Sequence, residues 1–161
     1  MKKYYVELPS LSYDKSELLN IKNAHLNKIK NWEYKGEPEG YSEIYWNFDE
    51  GKHLFYNMFP FECKGYQYVI LPKNYRIGIH KDVKIGGRLG VLLEGTGCIN
   101  FYKERSDNAF ECSADYQYPT LLDPLAFHDV INVDCERVSF FLTFTESYEE
   151  LKVRFKNIID P

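Results

Sequence analysis

Apolar and polar residues alternate over short segments along most of this chain, which is the pattern of half-buried β-strands. Turn-forming residues separate the segments, and the pair 88–93 and 98–103, joined by Glu94-Gly95-Thr96-Gly97, predicts a hairpin. Short strands at close intervals without helices between them predict an antiparallel sandwich or barrel. The segments lie at residues 4–8, 66–71, 75–80, 88–93, 98–103, 109–113, 119–122, 126–132 and 137–144.

Two segments near the ends of the chain carry the spacing of an amphipathic helix instead. The first helix is expected near residues 15–33, where Asp14 and Glu17 have the spacing of a capping box. The second is expected near residues 146–159, with Thr145 as a candidate N-cap. The predicted fold is therefore mainly β with flanking helices. The apolar helix faces comprise Leu18, Ile21, Ile29 and Trp32, and then Tyr148, Leu151, Phe155 and Ile158.

Length, charge and cysteine usage narrow the class of protein. The 161 residues predict a single domain, 1–161, and an aromatic fraction of 17% suits packed strands. A net charge of −4 gives no electrostatic reason to expect a nucleic-acid partner. No apolar run reaches the roughly 18 residues that would predict a membrane span. Cysteines without a C-x-x-C pair predict reduced thiols and a cytoplasmic location; they are Cys63, Cys98, Cys112 and Cys135.

A His-x-Asp pair at the end of a predicted strand is the first candidate for chemistry. Residues i and i+2 point to one face of a strand, so His80 and Asp82 can converge while Lys81 faces away. An imidazole and a carboxylate are two of the three ligands of a facial triad, which leaves open positions on a non-haem Fe(II) ion. The alternative for this pair is an ordinary surface turn after a strand.

A facial triad needs a third ligand, and in this pattern that ligand is usually a histidine from a distant strand. The remaining histidines are His25, His53 and His128. His25 lies on the face of the first predicted helix, and His53 lies in a charged, glycine-containing stretch. His128 lies in the strand-like segment 126–132, so it is predicted to complete the metal site. The alternative for His128 is a core histidine that is hydrogen-bonded to the backbone.

The last predicted strand carries a candidate anion site. Arg137 and Ser139 share one face of this strand, and apolar residues take the other face. An arginine that points inward needs an anion, and a guanidinium beside a hydroxyl suits a carboxylate. 2-Oxoglutarate would place its keto acid on the iron and its far carboxylate on Arg137 and Ser139. The alternative is a structural ion pair with Asp134 or Glu136.

The ordered set of His-x-Asp, a distant His and Arg-x-Ser resembles the Fe(II)/2-oxoglutarate-dependent oxygenase superfamily. The stretches 76–82 and 122–137 are most similar to small phage and bacterial members. The resemblance implies a double-stranded β-helix (jelly-roll or cupin-like) core over residues 66–145, with Fe(II) as cofactor and 2-oxoglutarate as cosubstrate. It also implies a dioxygenase that uses O₂, in most cases to hydroxylate an amino-acid, peptide or other small substrate.

The chain is also similar to the aspartyl/asparaginyl β-hydroxylase branch of that superfamily. There, an arginine that follows the first metal histidine helps to hold the cosubstrate, and Arg88 is the matching residue. One or two of Tyr66, Tyr68 and Tyr75 are expected to line the cosubstrate pocket. Two rival functions stay open: a cupin-like metal-dependent enzyme that acts on a small molecule, and a non-catalytic jelly-roll binding module.

Overall fold

Two antiparallel β-sheets and a set of flanking helices form the protein in a computed structural model that describes residues 3–31, 41–106, 108–132 and 134–159. The strands are β1 (Tyr5–Glu7), β2 (Lys30–Asn31), β3 (Ser42–Asn47), β4 (Gly65–Leu71), β5 (Arg76–His80), β6 (Arg88–Glu94), β7 (Cys98–Tyr102), β8 (Cys112–Ala114), β9 (Thr120–Leu122), β10 (Phe127–Ile131) and β11 (Arg137–Thr143). The helices are α1 (Lys15–Ala24), α2 (Phe48–Phe55), α3 (Tyr148–Arg154) and α4 (Lys156–Ile159), with a 3-10 turn at Leu26–Lys28.

The eight strands β4 to β11 are divided equally between the two sheets. The large sheet has the order β1-β9-β6-β11-β4-β3-β2, and the small sheet has the order β5-β10-β7-β8. Since β4, β6, β9 and β11 lie in one sheet and β5, β7, β8 and β10 in the other, the chain crosses repeatedly between them. This is the double-stranded β-helix, so the predicted mainly β fold with flanking helices is confirmed. Strands β1, β2 and β3 extend the edges of the large sheet.

The connection between β6 and β7 corrects the predicted hairpin. These two strands do not pair: β6 lies between β9 and β11 in the large sheet, whereas β7 lies between β8 and β10 in the small sheet. Gly95 and Gly97, with φ values of +81° and +131°, allow the chain to pass from one sheet to the other. Turn residues show where a chain reverses, but long-range packing decides which sheet the next strand joins.

The apolar core forms two layers, one on each face of the large sheet. On the outer face, side chains of the sheet such as Tyr68 pack with helix residues such as Leu151. On the inner face, Val69 and Phe101 belong to the layer between the two sheets. Along β11, Val138, Phe140 and Leu142 belong to the outer layer, and Arg137, Ser139 and Phe141 line the space between the sheets.

Helix α1 begins where the sequence predicts and ends earlier. The Asp14 side chain accepts a hydrogen bond from the Glu17 N–H, as an N-cap should. The helix stops at Ala24, and the chain continues through the 3-10 turn into β2. Because a 3-10 turn also repeats every three residues, Ile29 still packs against the outer layer and the apolar spacing persists beyond the helix. Trp32, the last position of the predicted helix face, lies outside the described residues.

One helix was not predicted, and another begins at a different cap from the predicted one. Helix α2 was not predicted, although Asn47 and Glu50 form a complete capping box at its start. Helix α3 is capped by Ser147 and Glu150 rather than by Thr145, because only Ser147 has a glutamate three residues later. Among the described helices, none has the length and apolar character needed to cross a membrane.

Candidate functional site

His80 and His128 lie side by side on neighbouring strands of the small sheet. They are direct cross-strand partners of β5 and β10, and their ring centroids are 4.3 Å apart. The register slips by one residue beyond this pair, because β5 carries one more residue than β10 between His80 and the pairing of Ile77 with Val130. Such a bulge redirects side chains, and here both imidazoles line the cavity between the sheets.

Asp82 follows the end of β5 and lies beside both imidazoles. A backbone hydrogen bond holds it there, since its N–H donates to the Pro124 carbonyl over 2.9 Å. Its Oδ1 is 3.5 Å from His80 Nε2, and its Oδ2 is 3.9 Å from His128 Nε2. One potential ligand atom from each residue lies within 4.8 Å of the others. The structure therefore brings together the three residues that were predicted as metal ligands.

Both imidazoles are oriented by hydrogen bonds to the backbone. His80 Nδ1 lies 2.8 Å from the Gly78 carbonyl oxygen, and His128 Nδ1 lies 2.9 Å from that of Ala126. A carbonyl oxygen can only accept, so each Nδ1 carries the proton and donates it. When a ring is neutral, its proton therefore stays on Nδ1, and its Nε2 lone pair faces the cavity beside Asp82. This is the arrangement by which proteins prepare histidine to bind a metal.

Arg88, at the start of β6, contacts Asp82 from the large sheet. Its Nη1 is 3.0 Å from Asp82 Oδ2, and its Nη2 donates to Gln67 Oε1 over 3.3 Å. The guanidinium also lies over the ring of Phe141, with its Cζ 5.3 Å from the centroid. The sequence resemblance suggested that Arg88 holds a cosubstrate, whereas in the structure its guanidinium contacts the predicted metal ligand directly.

Burial and neighbouring charge shift the pKa values of His80, Asp82 and His128 in opposite directions. Burial favours the neutral form of Asp82, but the charge of Arg88 and the hydrogen bond with His80 lower the pKa of this carboxyl to about 2. Burial lowers the pKa of His128. Burial also acts to lower the pKa of His80, but hydrogen bonds to Asp82 and the Gly78 carbonyl raise it overall. Near neutral pH the site thus offers an ionised carboxylate.

Arg137 and Ser139 line the same cavity from β11 of the large sheet. Arg137 is 1% exposed, and its Nε donates to Ser139 Oγ over 3.2 Å. The guanidinium Cζ lies 5.1 Å from the centroid of the Tyr116 ring. Among the described residues, Nη1 of Arg137 has no hydrogen-bond partner, and Arg137 makes no ion pair with Asp134 or Glu136. A buried cation with a free donor is costly unless an anion binds it.

The cavity lies between the sheets, with the histidine pair on one side and Arg137 on the other. The prediction that Tyr66, Tyr68 or Tyr75 lines this cavity is wrong, because Tyr66 and Tyr68 face the helices and Tyr75 packs between the sheets without lining the cavity. Tyr41 lines the cavity instead, because β3 extends the large sheet next to β4. The lining is formed by Tyr41, Glu43, Val69, Leu71, Ile77, His80, Asp82, Arg88, Ile99, Phe101, Leu122, Asp123, Pro124, His128, Val130, Arg137, Ser139 and Phe141.

The two remaining histidines lie away from this cavity. His25 lies at the end of α1, where its ring meets Trp46 edge-on at a centroid distance of 5.5 Å. His53 is an exposed residue of α2. Neither residue lines the cavity, which agrees with the choice of His128 from its strand-like context.

Comparisons with known proteins identify the fold but no sequence relative. No protein-family model and no curated protein sequence matches the chain. A prolyl-4-hydroxylase from Pseudomonas putida has a TM-score of 0.56 at 9% identity, over 89% of this chain and 94% of that one. The 2OG complex of a viral collagen prolyl hydroxylase from Paramecium bursaria Chlorella virus-1 has a TM-score of 0.54 at 12% identity, over 88% and 95%.

A third solved structure extends this likeness to a bacterial oxidoreductase. The 2OG-Fe(II) oxygenase family protein from Burkholderia pseudomallei has a TM-score of 0.53 at 15% identity, over 89% of this chain and 86% of that one. At such identities the likeness concerns the fold and not the chemistry. This chain therefore has the double-stranded β-helix fold that is also found in 2OG-Fe(II) oxygenases, including prolyl hydroxylases.

Proposed function

We propose that this protein is an Fe(II)- and 2-oxoglutarate-dependent oxygenase. The observation that carries the proposal is the cavity, which presents two imidazole Nε2 atoms and a carboxylate on one side and a buried arginine with a free donor on the other. A dicarboxylate that binds a metal at one end can satisfy both sides together. The folds of the solved relatives support this class of enzyme.

The donor set fits a divalent first-row metal such as Fe(II). His80, Asp82 and His128 would hold the ion, because the backbone binds Nδ1 of both rings and leaves each Nε2 to the metal when the ring is neutral. A set of two histidines and one carboxylate leaves coordination positions open for a cosubstrate and O₂. When bound, Fe(II) and 2-oxoglutarate would activate O₂: one oxygen atom would enter the substrate C–H bond, and the other would go into succinate as 2-oxoglutarate loses CO₂.

Arg137 and Ser139 would bind the far carboxylate of 2-oxoglutarate. The planar guanidinium can donate two parallel hydrogen bonds, and the Ser139 hydroxyl can donate a third. Burial of this pair excludes water, which strengthens each charge-assisted bond. Tyr116 restricts the guanidinium by lying against its face. These residues bind and orient the cosubstrate.

Arg88 has a different role in this proposal from the one suggested by the aspartyl/asparaginyl β-hydroxylase resemblance. Its guanidinium binds Oδ2 of Asp82 and the side chain of Gln67, so we assign it to orienting the metal carboxylate. With Oδ2 bound to Arg88, Oδ1 is the oxygen left for the metal. Second-sphere hydrogen bonds of this kind orient metal ligands in many sites.

The proposed substrate is a peptide or another small molecule. The solved relatives include enzymes described as prolyl hydroxylases, which favours hydroxylation of a peptide or another small molecule. Tyr41 and Glu43, at the start of β3, line the wall of the cavity. A substrate bound against this wall would place its C–H bond next to the metal ligands.

Anaerobic addition of Fe(II) and 2-oxoglutarate tests the proposal. A weak visible charge-transfer band should appear in the wild type and be lost in His128→Ala. His53→Ala is the matched control, because it removes an exposed histidine on α2 and should keep the band. Both variants should retain a cooperative thermal transition. If the wild type shows neither the band nor 2-oxoglutarate-dependent succinate release, the proposed function is wrong.

A further inference from the structure

Glu43 is a half-buried acid that lines the cavity between the sheets, and the proposed oxygenase reaction gives it no role. It lies on β3, on the inner side of the strand that extends the large sheet beyond β4. The Tyr41 hydroxyl donates a hydrogen bond to Glu43 Oε1. Glu43 makes no ion pair with any lysine or arginine in the part of the chain that the structure describes. Its cross-strand neighbour Lys30 is exposed and makes no such pair.

The other charged groups of the cavity already have partners or proposed ligands. Asp82 forms an ion pair with Arg88, and Arg137 is proposed to bind the far carboxylate of 2-oxoglutarate. Asp123 accepts a hydrogen bond from the Leu125 N–H, so it stabilises a turn. Among the described lining carboxylates, Glu43 and Asp123 make no ion pair, and of these two only Asp123 is held by a backbone hydrogen bond. A half-buried carboxylate in that position is stabilised when a ligand supplies the positive charge.

The surroundings of Glu43 suit a positively charged ligand. The Tyr41 ring lines the cavity beside the carboxylate and packs against the ring of Tyr75, with centroids 6.0 Å apart. Aromatic rings attract organic cations through their faces. Tyr41, Glu43 and the candidate metal ligands line the same cavity, so one ligand can contact both groups.

We propose that Glu43 recognises an ammonium or guanidinium group on the substrate, so that the enzyme acts on a cationic amino acid or on a peptide side chain of that kind. This inference rests on the proposed function, because it names the substrate class of the same cavity. Glu43 binds the cationic nitrogen, and Tyr41 orients the carboxylate by donating a hydrogen bond to Oε1. The rest of the substrate extends from this pair toward His80, Asp82 and His128, where its reacting C–H bond lies.

Isosteric probes separate charge from shape. Nα-acetyl-L-arginine amide and Nα-acetyl-L-citrulline amide differ in the charge of the side-chain head group and little in its shape. Calorimetry with the Zn(II)- and 2-oxoglutarate-loaded protein, which does not turn over, should show about ten- to hundredfold tighter binding of the arginine probe, the usual value of one charge-assisted pair. Succinate release with the Fe(II) protein should be stimulated in the same order. Free L-arginine as a third probe distinguishes an amino-acid substrate from a peptide.

Glu43→Gln keeps the size of the side chain and removes its charge, so it should bring the two affinities within about twofold of each other. Glu111→Gln is the matched control. Glu111 also accepts a hydrogen bond from a tyrosine, Tyr4, but is exposed and does not line the cavity. Equal binding of the two probes by the wild type overturns the inference, and so does a cation preference that survives Glu43→Gln.

Lys30 provides the remaining check. If Lys30 neutralises Glu43 in solution, Lys30→Ala creates a cation preference that the wild type lacks, and the inference is wrong for the natural enzyme. The calorimetric comparison does not depend on oxidation. Failure of the visible band and of succinate release therefore contradicts the oxygenase proposal, whereas failure of the charge preference contradicts only the role of Glu43.

Discussion

Arg137→Lys should weaken 2-oxoglutarate binding without removing the metal. The arginine Nε is engaged by Ser139 Oγ at 3.2 Å, and Nη1 is free, so the guanidinium can bind the serine and a carboxylate in the same plane. Lysine keeps the charge but offers one nitrogen and no planar fork. The loss of one charge-assisted hydrogen bond corresponds to roughly 1.5–3 kcal/mol, or about ten- to a hundredfold in affinity.

The assay is an anaerobic titration of the Fe(II) protein with 2-oxoglutarate, followed by the visible band, with Co(II) affinity measured in parallel. Arg76→Lys is the matched control, because Arg76 forms a fork with the buried carboxylate of Asp129 and does not line the cavity. An unchanged 2-oxoglutarate affinity in Arg137→Lys would remove Arg137 as the anchor. A parallel loss of Co(II) affinity would show that the substitution disturbs the whole site.

Three further results are expected. Arg88→Met should lower Co(II) affinity by about ten- to a hundredfold, because Asp82 loses the group that orients it, whereas Arg76→Met should not; equal titrations for the two variants would contradict this. Gly90→Ala should lower stability by about 1–3 kcal/mol in thermal unfolding, because a Cβ would lie 2.7 Å from Phe141 Cε1 and 2.8 Å from Tyr116 Cε1; Gly78→Ala, where the Cβ meets open space, is the control, and equal losses would be evidence against a steric cause. The pKa of Asp82 is about 2 in the folded, metal-free protein and about 3.9 when unfolded, so its contribution of roughly 2–3 kcal/mol is present above pH 4 and lost toward pH 2; chelated wild type should lose this advantage over Asp82→Asn across that window, and a constant difference would refute the assignment.

The parts of the site that sequence could predict depend on local geometry. Arg137 and Ser139 share a face because side chains alternate along a strand, and that rule needs no knowledge of the fold. His80 and His128 were recognisable from strand-like contexts that placed neither residue on a helix. The helix-side position of Tyr66 and Tyr68 follows from the same alternation, but the sequence does not show which face of β4 meets the helices.

The parts that sequence could not predict depend on contacts between distant segments. Arg88 binds Asp82 because β6 lies in the large sheet opposite the end of β5, and nothing within either segment encodes that pairing. Glu43 reaches the cavity because β3 adds to the edge next to β4. Helix α2 is different, since the spacing of Asn47 and Glu50 was a usable signal for its start.

The division of the candidate site between two sheets has a consequence for the proposed binding of a diacid. The candidate metal ligands belong to the small sheet and the loop after β5, whereas Arg137 and Ser139 belong to the large sheet. The spacing between the sheets, about 10 Å in packed sheets, would therefore limit the length of a diacid that can reach both groups. Val69 and Val130 lie between the sheets and line the cavity without being ligands. Larger side chains at these positions would fill the space that the proposed diacid needs, so core residues of this fold would also limit the size of the ligand.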